Sequence, residues 1–217
     1  MKTLRAFALI VILAVCAPQA VHARGEHLEP SDRFDTPTGT LNTYYSNVLP
    51  LLHAGFTDAF LARCTVIPSF TPEYAWSVEQ RADGAHLLTN SFPVNYWYAK
   101  DKNIMPVRKD ILLEPDLALA IEELFRIAVA GTRVPEQKTL GLDGVSYYFA
   151  APAKEGAPNV GRTWSPPEGS PMFRLTRVAD ALFALPEGKG PSQAELAKEM
   201  RLLLDDLRRP KTESSGQ

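Results

Sequence analysis

Apolar residues along this chain recur first at helical spacing, then at alternate positions, then at helical spacing again. Leu41, Tyr44, Tyr45 and Val48 fall three or four residues apart. After Pro50, the residues Leu51, Leu52, Phe56, Phe60 and Leu61 continue a similar pattern up to Cys64. Such spacing lines one side of a 3.6-residue turn, so residues 40–66 are expected to form two short helices, or one helix kinked at Pro50. From Tyr74 the period becomes two. Tyr74, Trp76 and Val78 alternate with Ala75, Ser77 and Glu79, Ala82-Asp83-Gly84 reads as a turn, and residues 85–92 return as the partner strand. Residues 95–99 are short and aromatic and are a candidate third strand. Val107, Lys109, Ile111 and Leu113 against Arg108, Asp110 and Leu112 predict a half-exposed strand.

Helical spacing returns at Pro115, a residue suited to the first position of a helix. Leu117, Ile121, Leu124, Phe125 and Ala128 make its apolar stripe, and Gly131 stands where the helix should end. Residues 138–149 then read as a β-hairpin. Asp143-Gly144 would be its two-residue turn with positive φ at Gly144, Leu142 would face Val145, and Thr139, Ser146 and Tyr148 would share the outer face. Residues 151–169, rich in Pro and Gly, read as a long loop containing Arg162 and Trp164. Two helices close the pattern. Ser170-Pro171 starts one, with Met172, Leu175, Ala179 and Leu182 inside and Pro186 at its end. Ser192-Gln-Ala-Glu195 is a capping box for the other, with Leu196, Met200, Leu203, Leu204 and Leu207 on one face.

This order of elements gives an α+β fold: an antiparallel sheet built on hairpins and packed by amphipathic helices. One domain over residues 40–209 accounts for it, with residues 24–39 a flexible segment and residues 210–217 a disordered tail. Residues 1–23 read as a secretory signal peptide. Lys2 and Arg5 precede an apolar run at residues 6–15, too short for a span of about 20 residues, and Val21 and Ala23 fit a cleavage site. The expected address is the periplasm or the outside of the cell. An alternative is a lipoprotein anchored through Cys16, although Val15 fits poorly before a lipidated cysteine.

Charge and chemistry narrow the function classes. Removing residues 1–23 takes away Lys2 and Arg5 and no acidic residue, which leaves 21 basic against 25 acidic residues and a formal charge of −4. That balance offers no footprint for nucleic acid. Cys64 is then the one cysteine left, so no internal disulfide forms, and its position among apolar residues suggests a buried thiol at the end of a helix. His27, His53 and His86 have no zinc-binding spacing. There is no phosphate loop, dinucleotide fingerprint, nucleophile elbow or calcium loop, so neither a metal nor a cofactor is expected. Glu122 and Glu123 are adjacent on a helix and point apart, so they cannot flank one bond. Trp and Arg are enriched at binding hot spots, which singles out Arg162 and Trp164, and the outer face of the hairpin, if no helix covers it, adds Tyr148 as part of a flat polar-aromatic surface suited to a partner.

Three short motifs, Pro68-Ser-Phe-Thr-Pro-Glu73, Leu142-Asp-Gly-Val-Ser-Tyr-Tyr-Phe149 and Trp164-Ser-Pro166, occur in this order. Together they resemble a group of small exported bacterial proteins of unknown function, over roughly residues 64–185. The resemblance implies bacterial origin, export and close approach of the three motifs in the fold. It implies no catalytic residue. The expected function is therefore a non-catalytic periplasmic or secreted binding protein, immunity- or inhibitor-like by analogy, with another envelope protein as its partner. The competing class is an envelope-acting hydrolase whose site is assembled from distant residues.

Overall fold

The computed structural model describes residues 25–31, 40–135, 143–153 and 157–209. Seven strands form one antiparallel sheet: β1 (Glu29–Pro30), β2 (Phe60–Pro68), β3 (Tyr74–Arg81), β4 (Gly84–Ser91), β5 (Val107–Leu112), β6 (Val145–Ala151) and β7 (Asn159–Trp164). Their spatial order is β1-β7-β6-β2-β3-β4-β5. Four α-helices accompany them: α1 (Thr40–Leu52), α2 (Pro115–Ala130), α3 (Pro171–Ala184) and α4 (Gln193–Arg208). The α+β architecture expected from the pattern is the one observed. No helix among the described residues is long and apolar enough to cross a membrane.

Alternation along the strands sends side chains to two different layers. On one face Cys64, Val66, Trp76, Val78, Leu87 and Phe149 are buried against α2, α3 and α4. Phe125 of α2 touches both Trp76 and Phe149, with ring centroids 5.2 and 5.5 Å apart, and the Trp76 indole donates to the Ala179 carbonyl at 3.1 Å. Each large apolar side chain buried here contributes about 1.5–3 kcal/mol. The opposite face carries a smaller core: Ile67, Ala75, Phe92, Tyr96 and Tyr148 pack against Tyr44, Val48 and Leu52 of α1.

Local chemistry fixes the helix starts where the sequence places them. The Ser170 hydroxyl accepts from the Phe173 N–H at 3.2 Å, with Pro171 following. Ser192 and Glu195 form the reciprocal box, with bonds of 3.3 and 2.8 Å. Pro115 opens α2 and Gly131 closes it. Turn chemistry holds at the β3–β4 hairpin, where Gly84 takes a φ of 140° that residues with a side chain rarely adopt.

Four expectations are corrected. Residues 60–64 are not helical: Phe60 begins β2, and Cys64 lies in mid-strand, paired with Trp76 on one side and Phe149 on the other. A central strand buried on both faces has apolar residues at nearly every position, which imitates helical spacing. Residues 95–99 form a turn and not a strand. Arg162 and Trp164 lie on β7, between β6 and β1, and not in a long loop.

The fourth correction concerns the hairpin. Its first strand lies outside the described residues; among the described residues both edges of β6 are taken, by β2 and β7. Gly144 is not among the glycines with positive φ. It is glycine for a different reason. A Cβ there would stand 2.5 Å from Ser165 Oγ and 2.7 Å from the Trp164 indole. The outer face carrying Ser146 and Tyr148 is not open either: α1 covers Tyr148, which is 6% exposed.

Candidate functional site

Antiparallel order brings the C-terminal ends of β2, β4 and β7 and the N-terminal ends of β3, β5 and β6 to one end of the sheet. The loops at that end are tied to one another. Ser69 N–H donates to the Gly144 carbonyl at 2.9 Å, and the Gly144 N–H donates to Ser69 Oγ at 3.1 Å. Ser165 N–H donates to the Val145 carbonyl at 3.0 Å, while its hydroxyl accepts from the Val145 N–H at 3.0 Å. Pro68-Ser69, Gly144-Val145 and Trp164-Ser165 therefore meet, and the three motifs lie close together as expected. Ser165 is the one described non-glycine residue with positive φ, 38°. Conformations of this kind persist where the surroundings over-determine them, as the two bonds to Val145 do here.

Next to this junction the chain displays aromatic residues. Asn95 Nδ2 donates to the Thr71 carbonyl at 2.8 Å and to the Pro68 carbonyl at 3.4 Å, so the loop after β4 is clamped to the loop after β2. Phe70, Val94, Trp97 and Tyr98 are carried outward on these two loops at 64%, 50%, 43% and 60% exposure. Single exposed apolar residues are ordinary on protein surfaces, but grouped ones mark contact sites.

Beneath the loops, Glu73 is buried, has no cationic partner among the described residues, and serves as an acceptor. Tyr44 OH donates to its Oε1 and the Tyr96 N–H to its Oε2 at 2.8 Å. Burial, then the bond to Glu73, raises the Tyr44 hydroxyl far above its ordinary value, so it stays protonated and donating.

Tyr44, Tyr96 and Trp97, with Thr43, Asn47 and Lys102, line a shallow cleft of about 250 Å³. Trp97 and Tyr44 stand 5.3 Å apart at an interplanar angle of 66°, which gives the cleft an angled aromatic wall. Lys102 Nζ lies 5.0 Å from the Tyr96 ring centre and donates to the Tyr96 and Trp97 carbonyls at 2.5 and 3.0 Å. A second cleft, of about 390 Å³, lies at the other end of the sheet, between the Asp83–Gly84 turn and the start of α2. Its lining includes Leu61, Leu112, Leu113 and Leu119 but no aromatic ring.

The residues singled out from the sequence are brought together, though not as an open surface. One row crosses the sheet in register: Glu29, Arg162, Tyr148, Thr65, Ala75, Asn90 and Arg108. Arg162 pairs with Glu29 at 3.5 Å. Tyr148 hydrogen-bonds Tyr45 of α1, whose hydroxyl is raised by burial and by Tyr148 and held back by nearby Arg162. Trp164, two residues beyond Arg162, is half-buried at the edge of the motif junction. The exposed aromatics Trp97 and Tyr98 were missed by reading residues 95–99 as a strand. The signal was the unbroken run Tyr96-Trp97-Tyr98, which strict alternation cannot bury on one side.

Other titratable clusters have structural partners. The Asp180 carboxylate accepts from Tyr74 OH at 2.5 Å and Tyr147 OH at 3.2 Å; burial pushes its pKa up, and these bonds pull against it. His53 Nε2 and Thr65 Oγ1 are 2.7 Å apart, and burial lowers the imidazole to about 4. His86 sits between Asp83 and Asp110, whose hydrogen bonds raise it. Among the described residues no group of three or more His, Cys, Asp or Glu could hold a metal ion. No protein-family model, curated protein or solved structure matches the chain.

Proposed function

We propose that this is an exported binding protein that performs no chemistry of its own, and that it recognises its ligand with the aromatic end of the sheet. The observation that carries the reading is the clamp by Asn95. It holds Phe70, Val94, Trp97 and Tyr98 outward on two loops anchored to the sheet. Leaving such side chains in water costs hydration free energy, and ordering them beforehand lowers the cost of binding. Export is supported by the basic residues Lys2 and Arg5, the apolar run after them and the cleavage-site residues Val21 and Ala23. Arg162 and Trp164 belong to the flank of this surface, and Tyr148 acts through Tyr45 as a support beneath it.

The test compares what the wild-type protein and a Trp97→Ala, Tyr98→Ala variant retain from native envelope extract, by quantitative mass spectrometry. Each component retained by the wild type is then purified and its affinity measured. The reading expects at least one component to lose roughly tenfold or more in affinity, the equivalent of about 1.4 kcal/mol. Equal retention by both proteins, at equal melting temperatures, would remove this surface from the account.

A further inference from the structure

We infer that the cleft between α1 and the aromatic loop is a saccharide subsite that seats one hexopyranose ring; the inference rests on the binding reading above and names the class of ligand. Its volume, about 250 Å³, falls just below the ~300–1,000 Å³ of sites for drug-sized ligands, so it suits a single ring. Trp97, 43% exposed, supplies the open ring of the cleft, and the buried Tyr44 and Tyr96 back it, with Trp97 and Tyr44 meeting at 66°. An aromatic face carries negative charge density, and the C–H groups on the flat side of a pyranose carry partial positive charge, so the two faces attract.

A sugar also needs partners for the hydroxyls around its edge, and the cleft has them to spare. Among the described residues the Thr43 hydroxyl, the Asn47 amide and the Trp97 indole N–H have no hydrogen-bond partner. Lys102 has used two of its three N–H donors, on the Tyr96 and Trp97 carbonyls. Residues with donors and acceptors thus line the cleft beside an aromatic side chain, and a sugar, with an edge of hydroxyls and a flat face, needs both. An aliphatic anchor from a protein partner would use the wall but leave this polar rim idle. The Tyr44 hydroxyl takes no part: it is committed to Glu73, which fixes the ring as a wall.

The experiment titrates the protein comprising residues 24–217 with cellotetraose and chitotetraose by calorimetry and tryptophan fluorescence. Sorbitol serves as an acyclic control with similar hydroxyls and no ring face. The expected result is binding of at least one tetrasaccharide, no binding of sorbitol, and a loss of roughly tenfold in affinity for Trp97→Ala. Asn47→Ala and Thr43→Val, at exposed positions of α1, should each weaken binding several-fold at an unchanged melting temperature; they keep the test decisive if Trp97→Ala fails to fold. Absence of tetrasaccharide binding, or binding indifferent to these variants, overturns the proposal. If envelope capture still depends on Trp97 and Tyr98 in that case, the ligand is a protein and the binding reading survives. If it does not, both fall.

Discussion

The Tyr44 hydroxyl donates to Glu73 Oε1 at 2.5 Å, and that carboxylate also takes the Tyr96 N–H. One buried side chain thus joins helix α1 to the aromatic loop. Glu73→Ala would strand two buried donors, each at a cost of about 1–3 kcal/mol. Denaturant unfolding should show a loss of ~3 kcal/mol or more, and Tyr44→Phe, which keeps the ring, a loss of ~1–2 kcal/mol. An unchanged midpoint for Glu73→Ala would mean that ring packing alone holds helix and loop together.

At Gly144 the constraint is space and not backbone conformation. Gly144→Ala places a methyl group 2.5 Å from Ser165 Oγ and 2.7 Å from the indole of Trp164. Overpacking of this kind costs about 1–3 kcal/mol. A turn that merely demanded positive φ would be relieved by Asn, which tolerates that region. Crowding predicts instead that Gly144→Asn is at least as damaging as Gly144→Ala in thermal unfolding. Rescue by Asn would show that the backbone, and not Trp164, is what the glycine serves.

His53 should make the fold acid-sensitive. Its folded pKa, about 4, lies below the ordinary 6.5, because burial and the nearby Arg63 disfavour the charged form. The unfolded chain therefore takes the proton first. The stability from a neutral His53 is whole above pH 6.5, falls as pH drops toward 4, and changes no further below that. The full difference is worth ~3 kcal/mol at about 1.4 kcal/mol per pH unit. Asp180 and His86, both raised, slope the other way, so the comparison must isolate His53. Between pH 7 and pH 4.5 the wild type should lose more stability than His53→Gln. Parallel pH profiles would contradict the burial of that imidazole.

Cys64, 0% exposed in mid-strand, is held well above its ordinary pKa by burial. A thiol reagent should react slowly with the native protein and rapidly in denaturant. Fast native labelling, or a disulfide-linked dimer, would place the residue elsewhere.

Local chemistry was the legible part of this fold. Ser192 with Glu195, Ser170 with Pro171, and Asp83 with Gly84 each act through bonds within a few residues, so their elements could be placed from the sequence. Strand β2 could not: seven of its nine residues are apolar, all but Arg63 and Thr65, because helices cover the sheet on both sides, and period alone does not separate that from a helix. Strand β7 was hidden because Gly161 is required by packing, its Cβ position lying 2.8 Å from Leu28, and not by a turn. The candidate site was partly legible. The three motifs do meet, but their contacts, such as Ser69 with Gly144, span 75 residues of sequence and belong to the sheet topology.

The central claim is that the aromatic end of the sheet is a recognition surface. Hydroxyl-radical footprinting of the protein with and without native envelope extract tests it most directly. Trp97, Tyr98 and Phe70 should be protected when ligand is present, while exposed Leu119 and Leu202, on helices α2 and α4, keep their labelling. Protection of Leu119 or Leu202 with Trp97 and Tyr98 still fully labelled would contradict it.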